Sequence, residues 1–356
     1  MLNLFPLARP FVHALDPEKA HNLTISALKH GITGCFGVGS DDAVLATEVF
    51  GLKFSNPVGL AAGFDKNADA VMGAQKMGFG FTEAGTVTPK PQAGNDKPRL
   101  FRLSEDRAVI NRFGFNNEGL DYFEKKMKAL PSKRQPVGAN VGANKDADDR
   151  TADYVTGINR LYGLSDYFTV NISSPNTPGL RALQSKAALE DLIGRVLEAR
   201  AAQVAKGKAY IPMLVKIAPD LLEADIADIA DLALNTGIDG LIVSNTTITR
   251  PDTLKSAHKG ETGGLSGAPL MNLSTETLAA MYQATGGKVP LMGVGGIASG
   301  QDAYAKIKAG ASLVQLYSML VYEGPALVHR VKRELATLLK ADGFNHVAEA
   351  VGCDHR

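Results

Sequence analysis

Residues 213–244 read MLVKIAPDLLEADIADIADLALNTGIDGLIVS, and this segment decides the fold. The apolar runs Met213–Ile217 and Gly240–Ser244 predict two buried strands. The amphipathic stretch Leu221–Ala233 between them predicts a helix. A strand, a helix and a second strand within about thirty residues are typical of a βαβ unit, whose strands lie parallel in one sheet.

The same alternation runs from residue 55 to the last predicted helix. The predicted strands are Pro57–Ala61, Phe79–Ala84, Val137–Val141, Tyr167–Asn171, Met213–Ile217, Gly240–Ser244, Leu291–Val294 and Ser312–Leu316. The predicted helices are Ala68–Met77, Glu118–Leu130, Arg150–Leu161, Ala187–Ala205, Leu221–Ala233, Leu270–Tyr282, Ser299–Ala309 and Pro325–Lys340. Eight such repeats predict an α/β fold, a (β/α)8 or TIM barrel. An open, doubly wound sheet is the alternative, because sheet closure leaves no mark on the sequence.

Two segments before the barrel do not follow this repeat. Thr47–Phe54 contains a Gly51 turn between short apolar runs, which predicts a hairpin that plugs the barrel floor. Residues 1–40 predict a small helical extension, with Asp16 as an N-cap, Pro17 in the first turn and Gly31 as a stop. We therefore divide the chain into an extension, 1–40, and a barrel, 41–356.

Composition excludes several classes of protein. With 38 basic and 37 acidic side chains among 356 residues, the net charge gives no reason to expect a nucleic-acid partner. Cys35 and Cys353 are too few and too far apart for a disulfide framework or a zinc site, and no clustered metal ligands appear. No apolar run is long enough to span a bilayer.

The first residues of the chain are nevertheless strongly apolar. Their apolar side chains are Leu4, Phe5, Leu7, Phe11, Val12 and Leu23. Such a face could lie on a membrane surface and form a tunnel to the barrel. The alternative is a helical cap whose apolar face packs on the barrel.

Polar side chains follow the predicted barrel strands, and TIM barrels build their active sites at these carboxyl ends. These residues are Lys66, Asn140, Asn171, Lys216, Asn245 and Thr246. One such residue alone would be read as a solvated loop residue, but six in register predict a pocket. Amides match a heterocycle with alternating donors and acceptors, and the lysines indicate an anionic ligand or intermediate.

Glycine-rich segments predict a phosphate site at the same end of the barrel. They are Gly263–Gly267, Gly295–Ser299 and the end of the eighth strand at Tyr317 and Ser318. Glycines that only form tight turns are the alternative, and a Rossmann fingerprint at Gly293–Gly296 has the wrong spacing. No histidine lies at a predicted strand end, so we do not expect a histidine base.

Taken together, the motifs resemble those of class 2 dihydroorotate dehydrogenases over nearly the whole chain. The motifs are Ala61–Lys66, Asn111–Asn117, Asn171–Thr177, Ser244–Thr247, Gly263–Gly267, Gly293–Gly296 and Leu316–Ser318. The resemblance implies oxidation of (S)-dihydroorotate to orotate in de novo pyrimidine (UMP) biosynthesis. It also implies hydride transfer to one FMN per chain, which then reduces a membrane quinone of the ubiquinone type.

Site residues follow from the resemblance, position by position. FMN contacts are implied for Ala62, Gly63, Phe64, Asp65, Lys66, Thr86, Asn140, Asn171, Lys216, Ser244, Gly267, Gly296, Tyr317 and Ser318. Substrate contacts are implied for Lys66, Asn111, Arg112, Phe113, Gly114, Phe115, Asn171, Asn176, Asn245 and Thr246. Lys216 is implied to stabilise negative charge on the flavin's pyrimidine edge.

The catalytic base implied by the resemblance is Ser174, in a position where class 1 enzymes have a cysteine. A serine hydroxyl needs activation to act as a base, and we expect Thr177 and Phe115 to orient and shield a proton relay. The residues of a quinone path are implied to be His21 and Arg102. A different FMN barrel, or a flavin-free barrel that binds a phosphorylated metabolite, remains the alternative function.

Partners and location are expected on the same grounds. We expect a monomer whose N-terminal helices contact a membrane surface, where dihydroorotate, orotate and the quinone are its small-molecule partners. We also expect a peripheral protein on the cytoplasmic face of the bacterial inner membrane.

Overall fold

A computed structural model describes residues 2–33, 35–36 and 39–356. The strands are β1 Leu2–Asn3, β2 Cys35–Phe36, β3 Thr47–Val49, β4 Leu52–Phe54, β5 Val58–Leu60, β6 Phe81–Val87, β7 Leu100–Leu103, β8 Ala108–Asn111, β9 Val137–Val141, β10 Tyr167–Asn171, β11 Met213–Ile217, β12 Gly240–Val243, β13 Gly264–Gly267, β14 Leu291–Val294 and β15 Ala311–Leu316. The helices are α1 Phe5–Ala14, α2 Pro17–Lys29, α3 Val71–Lys76, α4 Gly119–Lys128, α5 Arg150–Leu161, α6 Lys186–Ala205, α7 Glu223–Asn235, α8 Met271–Ala284, α9 Gly300–Lys308, α10 Leu320–Glu323 and α11 Ala326–Ala341.

Eight parallel strands form a closed barrel in the order β10, β11, β12, β14, β15, β5, β6 and β9. Closure confirms the predicted TIM barrel and excludes an open sheet. The predicted bounds of β9, β10, β11 and β14 agree with the structure, and those of the other four differ by up to three residues. These strands read as nearly continuous apolar runs because both faces of a parallel sheet are buried.

The barrel interior is closed at the amino-terminal end by the predicted hairpin. Phe54 of β4 packs inside the barrel with Phe81 and Tyr167, and their side chains belong to one buried cluster. The ring of Phe50 lies against Gly240 at the start of β12, where a Cβ would be 2.6 Å from it. The open end is therefore the carboxyl end.

The predicted start of the first barrel helix, Ala68, is wrong. Ala68 has φ +57°, a left-handed conformation that cannot continue into an α-helix, and α3 begins only at Val71. The Asp65 carboxylate accepts the N–H groups of Asp69 at 2.9 Å and Ala70 at 2.7 Å. A buried carboxylate thus holds this turn at the end of β5.

A three-stranded antiparallel sheet, in the order β13, β8, β7, lies in the segments that follow β6 and β12. Gly264–Gly267, within one of the predicted glycine-rich segments, is strand β13 and pairs with β8 from Gly264 opposite Asn111 to Gly267 opposite Ala108. The partners lie about 155 residues apart along the chain, so no local pattern could predict the pairing.

Helices α1 and α2 precede the barrel. The Asp16 side chain caps α2 by accepting the Lys19 N–H, and Gly31 follows its end with φ +78°, as predicted. Helix α2 is joined to the barrel by an ion pair between Glu18 and Arg99 at 2.8 Å. Within the described residues, no helix is long and apolar enough to cross a membrane.

Candidate active site

One continuous cavity of about 480 Å³ extends from the carboxyl ends of the barrel strands to the space between α1 and α2. We call its barrel end, lined by Lys66, Asn171, Ser174, Lys216 and Asn245, the chamber. We call its outer end, lined by Phe5, Val12, Leu23 and Leu28, the funnel. The predicted site residues that line this cavity are Ala62, Gly63, Phe64, Lys66, Thr86, Asn111, Phe113, Gly114, Phe115, Asn171, Ser174, Asn176, Lys216, Ser244, Asn245, Thr246, Gly267, Gly296, Tyr317, Ser318, His21 and Arg102.

Three residues predicted to contact FMN or the substrate do not line it. Asp65 holds the turn after β5, and burial raises the pKa of its carboxyl to about 6. The Arg112 guanidinium pairs with Glu261 at 2.7 Å and lies over the Phe101 ring. Asn140 is fully buried beneath the chamber. The structure therefore gives Asp65, Arg112 and Asn140 supporting positions.

Beneath the chamber, a chain of hydrogen bonds fixes the orientation of two amides. Asn140 Nδ2 donates to Glu83 at 2.7 Å, and the Thr86 hydroxyl donates to Asn140 Oδ1 at 2.6 Å. Asn171 Nδ2 then donates to the Thr86 hydroxyl at 2.9 Å. A carboxylate can only accept hydrogen bonds, so Glu83 determines which end of the Asn140 amide faces it. That orientation in turn determines the direction of the hydrogen bonds of Thr86 and Asn171. Sequence reasoning gave Glu83 no role, although it precedes the end of β6 by only a few residues.

The Lys216 ammonium is the main unpaired charge of the chamber. Lys216 is only 5% exposed, and none of the described residues accepts a hydrogen bond from it or forms an ion pair with it. Burial lowers the pKa of Lys216, and the Glu83 carboxylate below partly opposes this. A buried ammonium beside an open cavity favours a ligand that carries acceptors or negative charge.

Lys66 supplies a second cation to the chamber. Its ammonium lies 4.0 Å from the centre of the Phe113 ring, in a cation–π contact. Burial lowers the pKa of Lys66 to about 8. An anionic ligand that reached Lys66 would favour the protonated form.

Ser174 and the chamber amides come from several loops. The Ser174 hydroxyl, on the cavity wall, accepts the Asn176 N–H at 3.3 Å. Asn176 Nδ2 donates to Asn111 Oδ1 at 3.2 Å, and Asn245 Nδ2 donates to the Ser173 hydroxyl at 3.0 Å. Asn245 Nδ2 also lies 3.4 Å from Asn171 Oδ1, and these two residues are 74 positions apart in the sequence.

Two threonine hydroxyls near these amides are buried without a hydrogen-bond partner among the described residues. They belong to Thr177 and Thr246. Thr246 lines the chamber, whereas Thr177 does not. Unpaired buried hydroxyls are costly, so both indicate a missing polar partner, either a ligand or water.

The glycine-rich elements meet on another side of the cavity. Gly267 has φ +93° and Gly296 has φ +79°, conformations that favour glycine. A Cβ on Gly296 would lie 2.5 Å from Met271 Cα. The Ser318 hydroxyl donates to Ser266 at 2.7 Å, and Ser266, which we did not predict as a site residue, also lines the cavity. Backbone this close to a cavity can bind an anion through N–H groups.

His21 and Arg102 lie where the chamber meets the funnel. The His21 ring packs on Phe64 and Tyr317, with centroids 5.5 and 6.3 Å apart. Burial lowers the pKa of His21 to about 3, which leaves the ring neutral at physiological pH. Arg102 donates to the carbonyl of His13 at 2.7 Å and to that of Leu15. No cluster of metal ligands was found in the part of the chain that the structure describes.

Comparison with known proteins identifies the family. A family model described as Dihydroorotate dehydrogenase matches residues 44–339. A dihydroorotate dehydrogenase (quinone) of Xanthobacter autotrophicus is 55% identical and covers 100% of both chains. A mitochondrial dihydroorotate dehydrogenase (quinone) of Mus musculus is 53% identical over 96% of this chain and 88% of its own.

A solved structure agrees with these relatives. The crystal structure of DHODH from Eimeria tenella in complex with ferulenol has a TM-score of 0.91 and 43% identity, and covers 97% of this chain and 99% of that one. The chain therefore belongs to the dihydroorotate dehydrogenase family and is an oxidoreductase of its quinone-dependent class.

Proposed function

We propose that this chain oxidises (S)-dihydroorotate to orotate at the chamber, with FMN as prosthetic group, and reduces a membrane quinone through the funnel. The observation that carries the proposal is the single cavity, which joins a polar chamber to an apolar funnel. A polar heterocyclic substrate is bound best by polar side chains, and an apolar quinone by apolar ones. Both kinds of side chain line this one cavity. The product orotate then serves de novo pyrimidine biosynthesis.

The residues present fit FMN. The unpaired Lys216 ammonium suits the acceptor edge of a flavin, and the glycine-rich elements around Gly267 and Gly296 suit its phosphate. When bound, FMN would supply the two-electron redox chemistry. We assign FMN contacts to Ala62, Gly63, Phe64, Lys66, Thr86, Asn171, Lys216, Ser244, Gly267, Gly296, Tyr317 and Ser318, with Asp65 and Asn140 as supports.

Dihydroorotate offers imide, amide and carboxylate groups, which the chamber can pair. We assign its carboxylate to Lys66 and its polar ring edges to the other chamber amides and hydroxyl. These are Asn111, Asn171, Asn176, Asn245 and Thr246. Phe113, Gly114 and Phe115 would form the wall above it, and Arg112 would hold that wall through its ion pair with Glu261.

Ser174 is the proposed catalytic base. Its hydroxyl accepts only a backbone N–H from Asn176 among the described residues, so its own proton is free to be passed on. The buried, unpaired hydroxyl of Thr177, three residues along, is our candidate for the next member of a proton relay. Phe115, on the cavity wall, would help to exclude water from it.

The funnel is proposed to open at a membrane surface. Leu7 and Phe11 of α1 are 74% and 77% exposed, and Leu4, Leu15, Leu23 and Ile32 are also exposed around them. Exposed apolar groups on this scale are typical of a membrane or protein contact. We propose residues 1–40 as the membrane-associating extension of a monomer on the cytoplasmic face of the bacterial inner membrane. His21 and Arg102 would border the quinone path.

Anaerobic addition of dihydroorotate tests the proposal directly. We expect the flavin absorbance of the purified protein to bleach, and a soluble quinone analogue to restore it. An unrelated FMN barrel would keep its oxidised spectrum, and a flavin-free barrel would be colourless. Fumarate or NAD that restored the colour as well as the quinone would contradict the proposed acceptor.

A further inference from the structure

Lys306, in α9, is a fully buried lysine that does not line the cavity. Its ammonium donates to the hydroxyls of Ser274 at 2.8 Å and Thr275 at 3.0 Å, both on α8. It forms no ion pair with any described carboxylate. Burial lowers the pKa of Lys306 to about 7, although Asp302 on the same helix opposes this. A charge buried at this cost calls for a compensating partner.

Ser274 connects this ammonium to the glycine-rich loop after β14. Its hydroxyl lies 3.1 Å from the Met271 carbonyl and 3.2 Å from the Gly295 carbonyl, and can donate to either. The Lys306 stem also packs behind β14, since a Cβ on Gly293 would lie 3.2 Å from Lys306 Cδ. Lys306 is therefore two hydrogen bonds from the Gly295 carbonyl, on the outer side of the loop.

The peptide that joins Gly295 to Gly296 lies between α8 and the cavity. This bond is not among the cis peptides of the chain, and in a planar trans peptide the C=O and N–H point in opposite directions. The Gly295 C=O faces Ser274 on α8, so the Gly296 N–H points away from α8. Gly296 lines the cavity, and no described backbone or side-chain group accepts its N–H.

We propose that Lys306 is a positioning residue for the phosphate of FMN, which acts through Ser274 and the peptide between Gly295 and Gly296. A cation hydrogen-bonded toward the carbonyl end of a peptide polarises that peptide and strengthens its N–H as a donor. The same positive charge attracts a phosphate dianion across the low-dielectric loop. This inference rests on the proposed FMN site and assigns a residue outside it.

Comparing two flavins separates this role from simple packing. Riboflavin has the ring and ribityl chain of FMN but no phosphate. A residue that acts on the phosphate should therefore affect FMN binding alone. A residue that only supports the loop should affect both flavins equally.

The experiment titrates the flavin-stripped, full-length chain with FMN or with riboflavin and follows flavin fluorescence. For Lys306→Met we expect the dissociation constant of FMN to rise about tenfold, as for a lost hydrogen bond to a charged group, while that of riboflavin stays within about twofold. Lys308→Met is the matched control, because Lys308 lies on the same helix but pairs at the surface with Asp354 at 3.2 Å. We expect it to change neither constant.

Ser274→Ala is the second variant, in case Lys306→Met does not fold. It removes one hydroxyl and keeps the lysine, and should also weaken FMN binding selectively. Equal weakening of both flavins, or unchanged FMN affinity, in the variants that fold would overturn the role of Lys306. A wild-type chain that binds riboflavin as tightly as FMN, or neither flavin, would instead overturn the proposed FMN site.

Discussion

The chamber and the funnel share one cavity but are held together differently. The chamber rests on buried polar groups, such as Glu83, Asn140 and Asn171, whose hydrogen bonds leave each amide one orientation. The funnel is closed by α1, which has no buried residue and contacts α10 through His13, 2.8 Å from the Val321 carbonyl. In the proposed function, the chamber would hold the reacting groups in a fixed geometry, and the apolar funnel would admit the quinone.

A link between α2 and the chamber runs through Arg99, in addition to the contacts of Arg102 and His21. Arg99, paired with Glu18 of α2, donates to the Asn95 carbonyl at 2.8 Å, and Asn95 Nδ2 donates to the Asn176 carbonyl at 3.0 Å. Deletion of the whole extension would leave the buried Arg99 unpaired next to the chamber. Single substitutions therefore distinguish effects on the chamber from effects on the funnel more clearly than deletion of the extension does.

Loss of the proposed base should have the largest effect, and it should be confined to the chamber. For Ser174→Ala we expect flavin reduction by dihydroorotate to slow by about 10²–10⁴-fold, because a general base contributes on that scale. Anaerobic stopped-flow absorbance measures the rate. Ser165→Ala is the control, since Ser165 is also a buried serine but does not line the cavity or bond to a chamber residue. Retained FMN and orotate binding with an unchanged rate would require a different base.

Introducing charges on the exposed face of α1, at the outer end of the funnel, should affect only membrane binding and quinone turnover. For Leu7→Glu with Phe11→Glu we expect binding to anionic lipid vesicles to weaken roughly a hundredfold, for a loss of about 3 kcal/mol of apolar burial. Co-sedimentation with vesicles measures this, and flavin reduction should be unchanged. Leu222→Glu is the control, because Leu222 is 74% exposed at the start of α7. Vesicle binding equal to wild type would remove the proposed membrane face.

Loss of the ion pair between Glu18 and Arg99 should lower the stability of the protein and weaken its turnover of quinone, both moderately. Burial opposes ionisation of Glu18, but the Arg99 hydrogen bond and charge hold its pKa below the usual value. Its contribution to stability is therefore present at neutral pH and lost as the pH falls through that lowered pKa.

For Glu18→Gln we expect the free energy of unfolding to fall by about 2 kcal/mol, because Arg99 loses its charged partner. Urea denaturation measures the change, and the KM for a soluble quinone analogue should rise. Lys97→Met removes the exposed partner of Glu18 and should cost under about 1 kcal/mol. Equal losses in both variants would mean that Arg99 does not carry the link.

The smallest expected effect is a pH dependence within the chamber. Because the pKa of Lys66 is lowered to about 8, its charge is present below that pH and lost above it. We expect orotate affinity to fall about fourfold between pH 7 and pH 8.5, following the protonated fraction. Spectral titration of the bound flavin measures this, and Lys66→Met should bind weakly at both pH values. A pH dependence that persists in Lys66→Met would assign it to another group.

Much of the architecture was predictable because it depends on local patterns. Strands such as Met213–Ile217 and Tyr167–Asn171 agree with the structure, since their apolar runs are bounded by polar or turn residues. The start of α3 was not predictable in this way, because Ala68 adopts a left-handed conformation imposed by the turn around Asp65. Strand β13 was missed because it pairs with β8 from a distant loop. Strands β7 and β8 form a local hairpin, which was missed because it lies outside the repeat of strands and helices.

By itself, the sequence determined the repeat of strands and helices and the residue types at the strand ends, including Ser174, Lys66 and Lys216. Both follow from local order along the chain. Apolar periodicity predicts the strands and helices, and TIM barrels place their active sites at the carboxyl ends of the strands. Only the tertiary structure decided that Asp65, Arg112 and Asn140 support the site from outside the cavity, and that Lys306 lies behind the glycine-rich loop. Side-chain direction and long-range pairing are set by packing between distant segments, which no local pattern records.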